Sequence, residues 1–307
     1  MAPRIQCAIS VDLDEIPNYA AIHGLDPSRF DANAVYDVAL PRIRDWARSR
    51  GFPLTLFAVG SDLGRSASAE QLAQAATEGH EIGNHSHNHY YDLTRRTPAC
   101  IFQEVNDASD AIEDVIGKRP VGFRAPGYVT TDALYSVLST SGFSYSSSVF
   151  PCPIYYAAKA GAICGKRLLG RRSASVVDDP RVLVAPNRPY RVGKRYWGRG
   201  AGLLELPIQT TRGLRLPFIG TSVTLAGPKA ATLLARQVRS PLINFELHGI
   251  DVLDSKDGLA ALANYQPDVQ IPHKRKLACL DAAIDVFRRR GAAFVTLATA
   301  ADRVVID

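Results

Sequence analysis

Three histidines stand within five residues at His85-Ser86-His87-Asn88-His89, and two aspartates flank one leucine at Asp12-Leu13-Asp14. Histidine is only moderately buried on average and each buried ring nitrogen needs a partner, so packing is a poor reason for such a cluster. Imidazoles joined by a carboxylate make a metal site. His85 and His89 are spaced to meet on one side of a helical turn, which leaves His87 outside the site. The third ligand is then an oxygen from Asp14 or Asp12. Two nitrogens, one carboxylate and open positions suit one divalent ion, with zinc as the working assignment and cobalt, iron or nickel as alternatives. The carboxylate left over can take a proton from a water that the cation has made acidic.

Three further residues extend this to a proton-transfer set. Arg124, in Phe123-Arg124-Ala125-Pro126-Gly127-Tyr128, carries a planar fork that clamps and orients a carboxylate while staying charged. Pro126-Gly127 turns the chain sharply and brings a backbone N–H or Tyr128 to a developing oxyanion. His248 ends the apolar run 243–247, where an imidazole can protonate a departing amine.

These segments are far apart in the chain, so a scaffold must gather them. Apolar runs predict strands at 5–11, 53–59, 121–124, 144–149, 203–208, 243–247 and 293–297. Amphipathic spacing predicts helices at 33–50, 66–78, 98–116, 131–141, 228–239 and 273–290. Repeated strand-then-helix order points to an α/β fold with a parallel sheet, and seven or eight units point to a deformed (β/α) barrel rather than an open sheet. Asp12 and Asp14 then end the first strand, His85–His89 stand between the strands 53–59 and 121–124, Arg124 ends the latter, and His248 ends a later one. In a parallel barrel those C-terminal ends share one rim, where active sites form.

The 307 residues are 46% hydrophobic and 21% charged, enough to bury a sizeable core, and 1–307 is read as one barrel domain. Between Phe150 and Arg199 the rhythm breaks into Pro, Tyr, Gly and Arg, an irregular basic insertion or lid at about 150–200. From Lys159 to Arg199 there are eleven Lys or Arg against Asp178 and Asp179. That local field suits cover over an anionic substrate such as a phosphorylated lipid carrier or a cell-wall polymer. No helix-turn-helix, zinc-finger or aromatic RNA-binding signature accompanies the charge, which argues against nucleic acid. Five cysteines at irregular spacing, with no C-x-x-C pair, indicate neither a disulfide framework nor a cysteine zinc site. No run approaches the ~20 apolar residues of a membrane span. The opening residues run into a strand pattern without an apolar leader, so a cytoplasmic address is expected. Assembly into a homo-oligomer stays open.

The motifs, in this order, resemble the NodB-type polysaccharide deacetylase family, carbohydrate esterase family 4, over roughly Ile5 to Ala298. The family's T-F-D-D-G reads Ser10-Val11-Asp12-Leu13-Asp14, with the acids separated as in a branch that is similar to peptidoglycan deacetylase-like and allantoinase-like proteins. H-[S/T]-x-x-H is met by His85, Ser86 and His89; the arginine–proline motif by Arg124, Pro126 and Gly127; the L-x-H-type motif by Leu247-His248. The resemblance implies Asp12 as general base, Asp14, His85 and His89 as metal ligands, Tyr128 at the oxyanion and His248 as general acid. One departure stands out: Tyr145-Ser146-Ser147-Ser148 replaces the frequent Tyr-Asp-Ser-Ser, and Asp251 is the candidate substitute for the missing acid. The activity implied is metal-dependent removal of an N-acyl group, N-acetyl first, from an amino sugar in a polysaccharide, peptidoglycan or lipid-linked glycan. Deformylation of a lipid-linked amino sugar, allantoinase-like hydrolysis of a cyclic amide, and glycan binding without catalysis are the alternatives.

Overall fold

A computed structural model of the chain describes residues 5–30, 32–168, 170, 173–304 and 306. Residues 1–4, which open the chain, and Arg171 and Arg172 of the basic stretch lie outside the described residues. Among the described residues the strands are β1 (Gln6–Asp12), β2 (Leu54–Ala58), β3 (Glu81–Asn84), β4 (Gly122–Phe123), β5 (Tyr145–Ser146), β6 (Tyr190–Val192), β7 (Arg199–Glu205), β8 (Leu242–His248) and β9 (Ala293–Phe294). The helices are α1 (Ile16–His23), α2 (Leu40–Arg50), α3 (Ser66–Thr77), α4 (Pro98–Ile116), α5 (Asp132–Thr140), α6 (Pro153–Leu168), α7 (Gly220–Ala226), α8 (Pro228–Gln237), α9 (His273–Arg289) and α10 (Leu297–Arg303).

β1 is buried from Cys7 to its end, as a strand covered on both faces of a parallel sheet must be. The sheet order is β6-β7-β5-β4-β3-β2-β1-β8, and every neighbouring pair is parallel except β6 with β7. β9 joins β1 at Gln6 and Cys7, below Ile9 where β2 takes over the same edge. The sheet curls until its two sides meet. Beyond β7 the chain continues alongside β5, with Leu206 N–H donating to Ser146 O and Ile208 N–H to Val149 O, and then crosses to β8, where Gln209 N–H donates to Asn244 O at 3.2 Å. Ile219 forms a single parallel bridge with Glu246. The result is a deformed barrel closed by a sparse seam.

The strongest helix signal belongs to α4. Thr97 caps it through the N–H of Cys100, Pro98 occupies its first turn, and Gly117 ends it in the left-handed conformation. Its buried stripe runs Ile101, Val105, Ala108 and Ile112, the spacing of one helix face. The main core packs Ile9, Val11, Phe245 and Leu247 of the sheet against Ile43, Leu280 and Phe287 of the helices. A second core lies on the β4–β5 side, where Phe123 and Val149 meet Leu134, Leu138 and Tyr190.

The stretch at about 150–200, expected to be irregular, contains α6 and β6. Among the described residues of α6 only Tyr156 is buried, so the helix lacks the apolar stripe that docks α4. Polar contacts dock it instead. Lys159 Nζ donates to Gly127 O at 2.9 Å, and Lys166 Nζ donates to Ile22 O at 2.8 Å. Ser173 Oγ reaches the same Ile22 carbonyl. The insertion thus straps the loop after β4 to α1, the two segments that flank the rim.

Candidate metal centre and active site

The rim gathers Asp12 and Asp14 from β1 and its extension, His85 and His89 from the loop after β3, Arg124 and Tyr128 from the loop after β4, and His248 from the end of β8. His85 Nε2 lies 3.2 Å from Asp14 Oδ1 and 3.2 Å from His89 Nε2, and His89 Nε2 lies 3.5 Å from Asp14 Oδ2. One ligand atom from each of the three residues converges within 4.8 Å. The histidines do not meet on a helical turn as expected. The chain from His85 to Tyr90 is non-helical, and Ser86 and His89 both adopt left-handed backbone, with φ of 64° and 52°. Asn84 holds this kink: its side-chain oxygen accepts from Ser86 N–H at 2.8 Å, and its amide donates to Val105 O and Ser109 Oγ. His87, turned away, packs by Gly60.

His85 Nδ1 faces the carbonyl of Arg124 at 2.8 Å, so Nδ1 carries the proton and Nε2 presents a lone pair to the centre. Burial works to raise the Asp14 carboxyl, but the two facing imidazoles, His89 before His85, outweigh it and hold Asp14 well below the usual range. Burial pushes His89 down to about 4 against the pull of the Asp14 carboxylate, leaving it neutral and able to ligate. Asp14 Oδ1 is buried with no hydrogen-bond partner, a costly state that a cation relieves. These residues fit a divalent ion.

Two other groupings fit less well. Asp12, Glu246 and His248 also converge, but Asp12 Oδ1 already accepts from Arg124 Nη1 at 2.7 Å and Glu246 already faces His248 Nδ1. Asp254, Asp257 and His273 converge near the start of α9, yet Asp254 accepts from Lys256 N–H, His273 N–H and His273 Nδ1 while Asp257 pairs with Arg42. That group is a saturated cap.

Arg124 is fully buried and each of its three side-chain nitrogens has a partner. Nη1 holds Asp12, Nη2 donates to Ser10 Oγ and Ser147 Oγ, Nε donates to Ser147 O, and the guanidinium lies over the Phe57 ring at 4.2 Å. Burial raises the Asp12 carboxyl even against the pull of Arg124 and His85. Two neighbouring carboxylates are therefore driven apart, Asp14 toward a permanent anion and Asp12 toward a base. The serine-rich segment carries no acid because it needs none: Ser147 grips Arg124, and Ser148 Oγ accepts from Ala125 N–H at 3.0 Å.

The acid beside His248 is Glu246, which the sequence reading did not single out. Its Oε1 lies 3.0 Å from His248 Nδ1, and the carboxylate has no other partner among the described residues. Burial works to lower the His248 pKa, but the charge of Glu246 outweighs it and holds the imidazole well above its ordinary range. Asp251 does not take that role: Oδ2 accepts from the backbone N–H of His248 and Oδ1 accepts from Thr221 Oγ1. It follows the strand end, where only the backbone is within reach. Alternation along β8 was the available signal, since Glu246 and His248 project from the same face.

Tyr128 reaches the site by its hydroxyl, 3.3 Å from His248 Nε2. Its own N–H donates to Ala125 O within the turn, so that amide is not free to meet an oxyanion. Gly127 and Tyr128 take φ of 61° and 60° in succession, and glycine makes the first of these cheap. Tyr19, Tyr91 and Tyr155 complete an aromatic wall, with the Tyr91 ring edge-on to His89 and the Tyr19 ring edge-on to His248. The centre is nearly closed: His248 retains 19% of its side-chain exposure, whereas Asp12, His85 and Arg124 retain 1% or less. Beyond Tyr128, residues Val129, Thr130 and Thr131 line a cleft of about 420 Å³ with Arg95, Arg181 and Trp197.

Residues 29–146 match the family model described as polysaccharide deacetylase. The matched stretch contains His85, His89, Arg124 and Tyr128; Asp12, Asp14 and His248 lie outside it. A peptidoglycan deacetylase of Helicobacter pylori is 25% identical over 155 residues, covering 48% of this chain and 51% of that protein. The chain thus spans about half the length of that curated relative. In fold, the chain is similar to a candidate polysaccharide deacetylase from Mycobacterium smegmatis, with a TM-score of 0.59 and 19% identity over 99% of this chain and 92% of that one. A family 4 carbohydrate esterase from Streptomyces lividans in complex with acetate aligns with a TM-score of 0.50 and 12% identity over 99% of both chains. The curled sheet is thus the fold of these deacetylase structures, and residues 29–146, which carry His85, His89, Arg124 and Tyr128, are similar to the polysaccharide deacetylase family.

Proposed function

We propose that this protein is a metal-dependent hydrolase that removes the N-acetyl group from an amino sugar within a glycan, with residues 1–307 acting as one catalytic unit. The observation that carries the reading is the pairing of a free Asp14 oxygen and two imidazole lone pairs with a separate, arginine-held carboxylate at Asp12. Asp14, His85 and His89 would hold the ion, zinc in the first instance. When bound, such an ion supplies Lewis acidity to the acyl carbonyl and lowers the pKa of water.

The remaining work falls to this chain's own side chains. Arg124 fixes Asp12 Oδ1, which leaves Oδ2, 3.8 Å from His85 Nε2, to accept a proton from the attacking water. His248, kept protonated by Glu246, gives its Nε2 proton to the departing amine while the Tyr128 hydroxyl steadies that nitrogen. The aromatic wall and α6 keep bulk water from the centre. The cleft beside Tyr128 supports an extended and anionic glycan: Arg95 is exposed and carries no acidic partner among the described residues, and Trp197 offers a flat ring flanked by Arg181 and Arg195. All five cysteines are free thiols, which supports a reducing, cytoplasmic setting. No helix among the described residues is long and apolar enough to cross a membrane.

The test is acetate and formate release from N-acylated glucosamine oligomers, peptidoglycan fragments and cyclic ureides, with and without a chelator. Chelator-sensitive acetate release is expected. Asp12→Asn should bind one equivalent of zinc and lose activity by about 10²–10⁴-fold, whereas His89→Ala should lose the metal. Full activity in Asp12→Asn, or turnover untouched by the chelator, would sink the reading.

A further inference from the structure

A second cavity lies away from the catalytic rim. Arg188, Arg212 and Arg239 line it together with Asn187, Gln209 and Thr210, around a volume of about 320 Å³. Arg239 stands three residues before β8, and β8 runs from Leu242 to His248. At about 3.3 Å per residue, Leu242 lies roughly 20 Å and Asn244, where the lining Gln209 pairs, roughly 13 Å along β8 from the proton-transfer end. The site is therefore distinct from the metal centre.

Its composition is one-sided. No aspartate or glutamate lines the cavity, and none of the three guanidiniums has an ion-pair partner among the described residues. Arginines crowded without a carboxylate repel one another. Arg290 adds to the field from nearby, its own pKa lowered by burial and by the charge of Arg239. Thr210 gives the second observation. It is 1% exposed, and its hydroxyl has no hydrogen-bond partner among the described residues. A buried hydroxyl left unpaired costs about 1–3 kcal/mol, which a ligand oxygen in the cavity removes.

Guanidinium forks pair bidentately with the oxygens of phosphate, and a hydroxyl donor beside them completes a tetrahedral anion's contacts. We propose that this cavity binds a phosphate or phosphodiester group, held by Arg188, Arg212 and Arg239 with the hydroxyl of Thr210. The wall is also the seam of the barrel, since Gln209 N–H donates to Asn244 O. An anion bound there ties the loop after β7 to the segment before β8 and stabilises the closed sheet.

The experiment is thermal unfolding of the zinc-loaded protein in inorganic phosphate at fixed ionic strength, with chloride as the control. A saturable rise of roughly 5 °C is expected at a hundredfold excess over the dissociation constant. The triple variant Arg188→Gln, Arg212→Gln, Arg239→Gln changes only exposed side chains and should fold and hydrolyse substrate normally, yet lose the rise. Thr210→Val should retain a weakened one. Glycerophosphate and phosphatidylglycerol vesicles separate the sources: response to either soluble phosphate assigns a free or polymer-borne group, and sedimentation with phosphatidylglycerol but not phosphatidylcholine vesicles assigns a headgroup. An equal rise in chloride, or a phosphate rise undiminished in the triple variant, overturns the proposal.

Discussion

Glu246 and Asp251 lie two and three residues from His248, yet only one of them faces its ring. β8 places Glu246 and His248 on a common face, so the carboxylate stands against Nδ1, whereas Asp251 follows the strand and meets only the backbone N–H. Glu246→Gln should thus return the His248 pKa toward its ordinary value. His248 acts in its protonated form, so activity survives to higher pH when that pKa is raised and fails sooner when it falls. The alkaline limb of kcat/KM should move to lower pH in Glu246→Gln, with the rate on the acid side changing far less. A pH profile identical to wild type would remove Glu246 from the role. Replacing His248 itself with Asn should cost about 10²–10⁴-fold in kcat at every pH.

At the scale of elements, the helices with a wide apolar stripe are those the sequence marks well. The expected spans 98–116 and 66–78 fall on α4 and α3, and 273–290 falls on α9 within a residue. Short α1, α7 and α10 and the polar-docked α6 carry too little periodicity to be read that way. α6 also carries a testable charge. Burial lowers Lys159 to about 8 while its Nζ donates to Gly127 O. An unfolded lysine titrates near 10.4, so between those values the unfolded chain binds more protons and this group's contribution to stability rises with pH. Urea unfolding of wild type against Lys159→Met should show the difference shifting in favour of wild type from about pH 7.5 to about pH 9.5. A difference that stays flat across that window would mean that Lys159 keeps its charge at no cost.

For the whole molecule, the seam between the chain after β7 and β8 is the decisive feature. Asn244 sits there and connects the closure to the active site: its amide donates to Ser147 Oγ and Leu206 O, and its oxygen accepts from Ser10 Oγ. Ser10 and Ser147 in turn hold Arg124. Asn244→Leu leaves several buried polar atoms unpaired and should destabilise the protein by roughly 2–4 kcal/mol in denaturant unfolding. It should lower kcat as well, because the two hydroxyls that aim Arg124 at Asp12 lose the amide that positions them. Unchanged stability would mean that water or a shift of the seam satisfies those groups.

Composition, strand–helix alternation and the order of short motifs determined the α/β barrel and the placement of Asp12, Asp14, His85, Arg124 and His248 on one rim, because each depends on local pattern and chain order alone. Tertiary structure decided how those residues meet. His85 and His89 converge through left-handed kinks held by Asn84, a matter of side-chain hydrogen bonds that spacing does not carry. The acid for His248 is Glu246 of its own strand and not Asp251, the candidate that the sequence offered, since a buried imidazole takes whichever carboxylate the fold sets against it. The arginine cavity is assembled from positions 188, 212 and 239, and charges that far apart in the chain become one field only when the barrel closes.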